Sequence, residues 1–150
     1  MTNEDLLSLV DRFNAGDFSG APERRISDAV SRTTIQIPAH GHSMDRDLYV
    51  LRSGKRCVGL VLIQALCNED IHAVMHPSYR RQGMMRRAFL DAVLPDLARE
   101  FNEFHVTASS PEGASFLHSL GEAQLSVGES TFIDLAKYRR ARSGHSEGSG

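Results

Sequence analysis

No stretch of this chain is apolar for longer than the six residues Val58 to Ile63, far short of the roughly 20 that a membrane-spanning helix needs. The acidic start Met1-Thr2-Asn3-Glu4-Asp5 is no signal peptide, so the cytoplasm is the default. An excess of one charge is missing too. Seventeen Lys and Arg against 19 Asp and Glu leave a formal net charge of -2, which argues against nucleic acid as the main partner. Cysteine is scarce. Cys57 and Cys67 flank one apolar stretch in no CxxC or metal-ligand pattern; on a single strand they are too far apart to bond and read as buried free thiols. His40, His42 and five further histidines are scattered without a Cys or carboxylate ligand set at fixed spacing, so no metal is expected. No repeat is found. Low complexity is confined to Arg139–Gly150, basic and then Ser/Gly-rich, a composition expected to leave a disordered, solubilising tail.

What is present is one domain's worth of chain, 150 residues with 41% hydrophobic and 24% charged, long enough to bury a core; we assign residues 1–138 to a single domain. Thr2 and Asp5 form a capping pair, Leu6, Leu7, Val10 and Phe13 recur at helical spacing, and Gly16 can stop that helix. Pro22 is a good first-turn residue, and Ile26, Ala29 and Val30 on one side predict a second helix. Ile35-Gln36-Ile37 reads as a short strand and Pro38–Ser43 as a loop. Leu48–Arg52 and Arg56–Leu66 predict strands turned at Ser53-Gly54-Lys55, with Cys67–Asp70 closing the second and Ile71–His76 forming a third.

A helix is expected from Gly83 to Phe101, with Met85, Phe89, Val93, Leu97 and Phe101 four residues apart, and Pro95 should kink it by leaving the Asp91 carbonyl unpaired. Phe104, Val106 and Ala108 then alternate as a strand. A strand, a helix and a strand in that order predict a βαβ crossover with a parallel pair. Ser110–Leu120 reads as a helix, and Ala123–Val127 with Ser130–Leu135 as a closing hairpin. The fold expected is α/β with a mixed, mostly antiparallel sheet.

The chemically suggestive stretch lies between the third strand and the long helix. A helix that follows directly on a strand end offers unpaired N–H groups and the positive end of its dipole to an anion. Gly83 permits close approach to the backbone, and Arg80, Arg81, Arg86 and Arg87 add fork-shaped donors. A pyrophosphate fits there; an ordinary connection with a solvated basic face would show the same residues.

Pro77-Ser78-Tyr79-Arg80-Arg81-Gln82-Gly83-Met84-Met85-Arg86-Arg87 resembles the acetyl-CoA-binding signature of the GNAT acyltransferase superfamily: Arg or Gln, two residues, Gly, one residue, then Gly or Ala. Pro77, Arg80 and Gly83 match, and Met85 replaces the last small residue. Ser110–Gly121 is similar to a later family segment that opens with Asn and runs to Leu-Gly-Phe. Leu120-Gly121 match, Ser110 stands for the Asn, Leu117 where many members carry Tyr, and Glu122 for the Phe. The resemblance covers roughly Leu48 to Leu135. Family domains usually open with a strand before the first helices, and none precedes Asn3.

The resemblance implies a sheet splayed between two central strands, with the pantetheine arm of acetyl-CoA in the gap. The backbones of Val74 and Met75 would hold that arm. The N–H groups of Arg81, Gln82, Gly83, Met84 and Met85, with Arg80 and Arg86 nearby, would hold the pyrophosphate. Ser110 would assist at the later segment, and an N–H near Met75 would serve the oxyanion. For the base, Glu69 ranks above Asp70 and His72. Leu117 cannot protonate a thiolate, which leaves Ser109, Ser110, His118 or Ser119 as donors, or departure unaided, since a thiol pKa is only about 8.5. Two functions stay open: an N-acetyltransferase acting on a small-molecule or peptide amine, and a GNAT-like domain that binds acyl-CoA or a protein partner without efficient turnover. The acceptor would be set by the Gly16–Asp47 region. The oligomeric state stays open, a homodimer among the options.

Overall fold

The computed structural model describes residues 2–39, 41–64 and 69–139. The chain is a mixed α/β fold with a mostly antiparallel sheet. Helix α1 (Asn3–Asn14) opens with the expected capping box: Thr2 Oγ accepts the Asp5 N–H at 3.1 Å, and the Asp5 carboxylate accepts the Thr2 N–H at 2.9 Å. Gly16, at φ 87° just past its C-cap, turns the chain away in the left-handed conformation that suits glycine. No helix among the described residues is long and apolar enough to cross a membrane.

Five strands follow in spatial order: β1 (Glu23–Arg25), β2 (Val30–Ala39), β3 (His42–Ser53), β4 (Arg56–Gln64) and β5 (Glu69–Met75). Each neighbouring pair is antiparallel. The helix expected from Pro22 is therefore a hairpin, with Glu23–Arg25 paired to Thr33–Ser31. Arg32 hides the strand pattern: it occupies an inward position, buried like an apolar residue, because carboxylates rather than hydrocarbon meet it. The loop expected over Pro38–Ser43 is mostly strand as well. There β2 and β3 run past the end of β4, where exposed residues such as Met44 carry no apolar alternation. His40 lies outside the described residues, as do Cys67 and residues 140–150. Cys57 is a buried free thiol, and burial pushes it up to about 11.

The middle of the sheet is covered on both faces, so every residue of Leu48–Leu51 is buried. One face packs Leu48, Val50, Leu60, Leu62 and Val74 against Leu6, Leu9 and Val10 of α1. The other packs Tyr49, Leu51, Val61, Ile63 and Met75 under α2 (Met84–Ala88), a π-helical turn (Phe89–Val93) and α3 (Leu94–Leu97). The break expected at Pro95 takes the form of that π turn, in which the Leu94 N–H reaches back to the Phe89 carbonyl. Proline has no N–H to continue the α ladder, and the wider turn absorbs the mismatch.

The last elements are β6 (Glu103–Thr107), α4 (Pro111–Ser119) and β7 (Ser130–Asp134). The parallel pair expected after the long helix does not form. β6 comes within contact range of β5 but pairs with β7 alone, antiparallel, in a separate two-stranded sheet. Nor is Ala123–Val127 a strand. Its residues are exposed except for half-buried Leu125, so no face drives pairing, and Ser130–Asp134 pairs across the chain to β6 instead. Arg139 is no tail residue: its guanidinium donates to the carbonyls of Ala98 (2.8 Å) and Phe101 (3.0 Å) just beyond α3.

Candidate functional site

The sheet parts between β5 and β6, which leaves one edge of β5 without a ladder. Antiparallel strands aim their polar groups alternately toward and away from a neighbour. The His76 N–H bonds the Val58 carbonyl at 2.7 Å, and Val74 lies opposite Leu60. Val74 therefore shares the register of groups turned toward β4. A Cβ placed on Gly59 would lie 3.0 Å from the Val74 carbonyl, consistent with that direction. Ala73 and Met75 turn their N–H and C=O groups into the split. The backbone partners for a ligand on this edge are thus Ala73 and Met75, in place of the expected Val74 and Met75.

Directly beyond Met75 comes a built turn. His76 Nδ1 accepts the Ser78 N–H at 3.1 Å, and a single 3-10 turn over Pro77–Tyr79 follows. Arg81 is the one non-glycine residue at positive φ among the described residues, at 64°, and Gly83 follows at 72°. Left-handed residues in a loop that enters a helix gather N–H groups into an anion-accepting concavity, and a non-glycine residue held there is strained. The first helical bond runs from the Arg87 N–H to the Gly83 carbonyl at 3.0 Å, so the N–H groups of Met84, Met85 and Arg86 start the helix without an intrahelical acceptor. No side chain caps this end.

Arginines ring the turn, each with one donor on a main-chain carbonyl: Arg80 Nε on Met75 (3.0 Å), Arg86 Nε on Ser119 (3.1 Å) and Arg87 Nη1 on Gln82 (3.2 Å). Gln82 ties back to the Ser78 carbonyl at 3.3 Å. Arg87 folds over Gly83, where a Cβ would stand 3.1 Å from its Nη1. On its far side Arg87 borders a cleft of about 300 Å³ whose floor is Val30, Leu51 and Ala88.

The other expected site residues are spread more widely. Glu69 opens β5 and Met75 closes it, about 20 Å apart at roughly 3.3 Å per residue, so those two cannot serve one reacting atom. Asp70 is the extra residue of a bulge, since Ile63 faces Ile71 and Gln64 faces Glu69. His72 Nε2 lies 2.6 Å from Asn3 Oδ1, engaged with α1, and burial lowers its pKa. Ser110 is the N-cap of α4, its Oγ accepting the Gly113 N–H at 3.0 Å. His118 is exposed, with Nδ1 3.4 Å from the Glu122 carbonyl. Leu117 is buried in the core.

Sequence reading missed the most heavily bonded cluster. Arg32 binds Asp47 (Nη2 to Oδ2, 2.7 Å), Asp96 (2.9 Å) and Glu100; Arg24 forks onto Asp96 at 3.0 and 3.1 Å, and the Tyr49 hydroxyl donates to Asp96 at 2.7 Å. Burial alone would raise the Asp96 carboxyl, but the bonds from Arg24, Tyr49 and Arg32 outweigh it and hold it below its ordinary value. These residues come from β1, β2, β3, α3 and the turn just after it, and no spacing in the sequence joins them. Their place under the helix makes them a structural tie. Among the described residues no group of three His, Cys, Asp or Glu is placed to hold a metal. No protein-family model matches this chain, and no curated protein or solved structure matches it either.

Proposed function

We propose that this protein is an N-acetyltransferase that moves the acetyl group of acetyl-CoA to a primary amine. One observation carries the reading: an open strand edge in a parted sheet leads straight into a turn with two left-handed residues and an uncapped helix start. The two features suit the two chemically distinct parts of one ligand. An amide-bearing arm can pair with the edge at Met75 and Ala73 as an added strand would, and a pyrophosphate can take the N–H groups from Arg81 to Met85. The likeness of Pro77–Arg87 to the GNAT signature supports the same assignment.

An arm that starts at the turn meets Met75 first and Ala73 next, so the thioester carbonyl falls at Ala73 or beyond. That brings it toward Glu69. The Ala73 N–H then stabilises the oxyanion, Glu69, about 13 Å along the strand, draws the amine proton through a chain of waters, and the thiolate leaves without a dedicated acid because Leu117 is apolar. The acceptor is a small-molecule or peptide amine, and residence in the cytoplasm belongs to the same reading. Leu117 in the core favours a second reading, a GNAT-like domain that binds acyl-CoA or a protein partner without efficient turnover.

Calorimetry with acetyl-CoA, followed by free-thiol release on an amine panel, separates the two. Binding with release supports the enzyme, binding alone the acyl-CoA form of the second reading, and no binding sinks both of these and leaves only the protein partner. Gly83→Asp sets a charge and a side chain against the pyrophosphate at a left-handed position, and is expected to weaken acetyl-CoA at least about tenfold, or roughly 1.4 kcal/mol. Equal affinity in a folded variant would refute the assignment of the turn.

A further inference from the structure

Resting on the ligand reading above, we propose that Arg80 acts as a positioning residue, through its Nε atom rather than its charge. The Met75 carbonyl faces the split, and Arg80 Nε already bonds it at 3.0 Å. The Met75 N–H on the same edge has no acceptor among the described residues. An ordinary edge residue offers a donor and an acceptor together. Met75 offers a free donor beside an acceptor that already holds one bond.

Two consequences follow for a ligand. The group that meets Met75 is best matched by an acceptor such as an amide carbonyl of the arm, because an N–H at that point would have to share a carbonyl already bonded to Arg80. The same bond ties the strand end to the turn five residues on, so the edge that receives the arm and the loop that receives the anion hold one relative geometry.

The chemistry of the side chains allows charge and donor to be separated. Gln Nε2 stands at the same number of bonds from Cα as Arg Nε, and it donates without charge. Lys keeps the charge but places a methylene there. In ligand-free protein, Arg80→Gln is expected to keep the Met75 carbonyl carbon resonance near its wild-type position, and Arg80→Lys to move it.

The probes for the ligand are acetyl-CoA and S-acetylpantetheine, which has no phosphate. Arg80→Lys is expected to weaken both about tenfold, and Arg80→Gln to leave both within about threefold of wild type. The reverse pattern, with Gln losing acetyl-CoA alone and Lys binding both normally, would make Arg80 a phosphate cation and overturn the proposal. If wild type binds neither probe, the cofactor reading fails on its own. The carbonyl resonance then decides the positioning separately: unmoved in Arg80→Lys, it overturns that as well.

Discussion

Replacing Arg32 by alanine is expected to lower the unfolding free energy by about 3–5 kcal/mol, the range for breaking a buried ion pair from one side. The reason is the company Arg32 keeps. Asp47, Asp96 and Glu100 all bond its guanidinium, and Asp96 has a side chain only 2% exposed. Without Arg32, Asp96 keeps Arg24 and, at 3.8 Å, Arg99, while Asp47 and Glu100 lose the guanidinium they share with it. The pH dependence should differ in sign between the two proteins. In the wild type the Asp96 pKa is lowered, so its contribution is present above the unfolded value near 4 and is lost as pH falls through the lower folded value. In Arg32→Ala burial still acts on Asp96 while one of the donors that offsets it is gone, so its carboxyl moves up and acidification from pH 7 toward 5 narrows the variant's deficit. Urea melts of both proteins at pH 7 and pH 5 test this. A deficit below about 1 kcal/mol, or one that widens toward pH 5, would mean that the cluster is no more than a surface-grade network.

Glu69→Gln is expected to leave acetyl-CoA affinity intact and to cut turnover by about 10²-fold or more, the usual scale of a general base. The substitution keeps size and hydrogen-bonding capacity and removes basicity alone. Its strength as a test comes from the strand geometry. Glu69 is four residues from Ala73 and six from Met75 on β5, so an effect on turnover places the reacting carbonyl toward the start of the strand. Wild-type activity should rise with pH as the acceptor amine deprotonates. Full turnover in Glu69→Gln across that range would remove Glu69 from the mechanism and assign the proton to a different base.

Local signals were legible where they met local physics. Thr2 and Asp5 announce their helix because a capping box is a contact between neighbours in sequence. The turn after Met75 is legible because Pro77 and Gly83 each answer a backbone requirement within a few residues. Where a partner comes from far along the chain, no local pattern announces it. Arg32 has no apolar partner to signal a strand until Asp96, 64 positions away, is placed beneath it, and so β1 and the start of β2 read as a helix while only Ile35-Gln36-Ile37 reads as strand. The expected parallel crossover follows from element order alone. Order does not say whether the second strand will find a better partner, and β7 supplied one. The site suffered likewise: Val74 and Met75 are adjacent in sequence, but only the ladder to β4 tells which of them turns outward. The bond from Arg80 to Met75 has no sequence signal beyond the arginine itself.

The backbone amides of the split and the turn are the atoms on which the account depends, and they can be followed one by one. A titration of uniformly 15N-labelled protein with acetyl-CoA, read as amide shifts, is the most direct measurement. The account predicts the largest saturable shifts at Gly83, Met84 and Met85, with a second set at Ala73 and Met75. No shift at millimolar acetyl-CoA, or shifts confined to Ser27–Val30 and Leu51 around the neighbouring cleft, would contradict it.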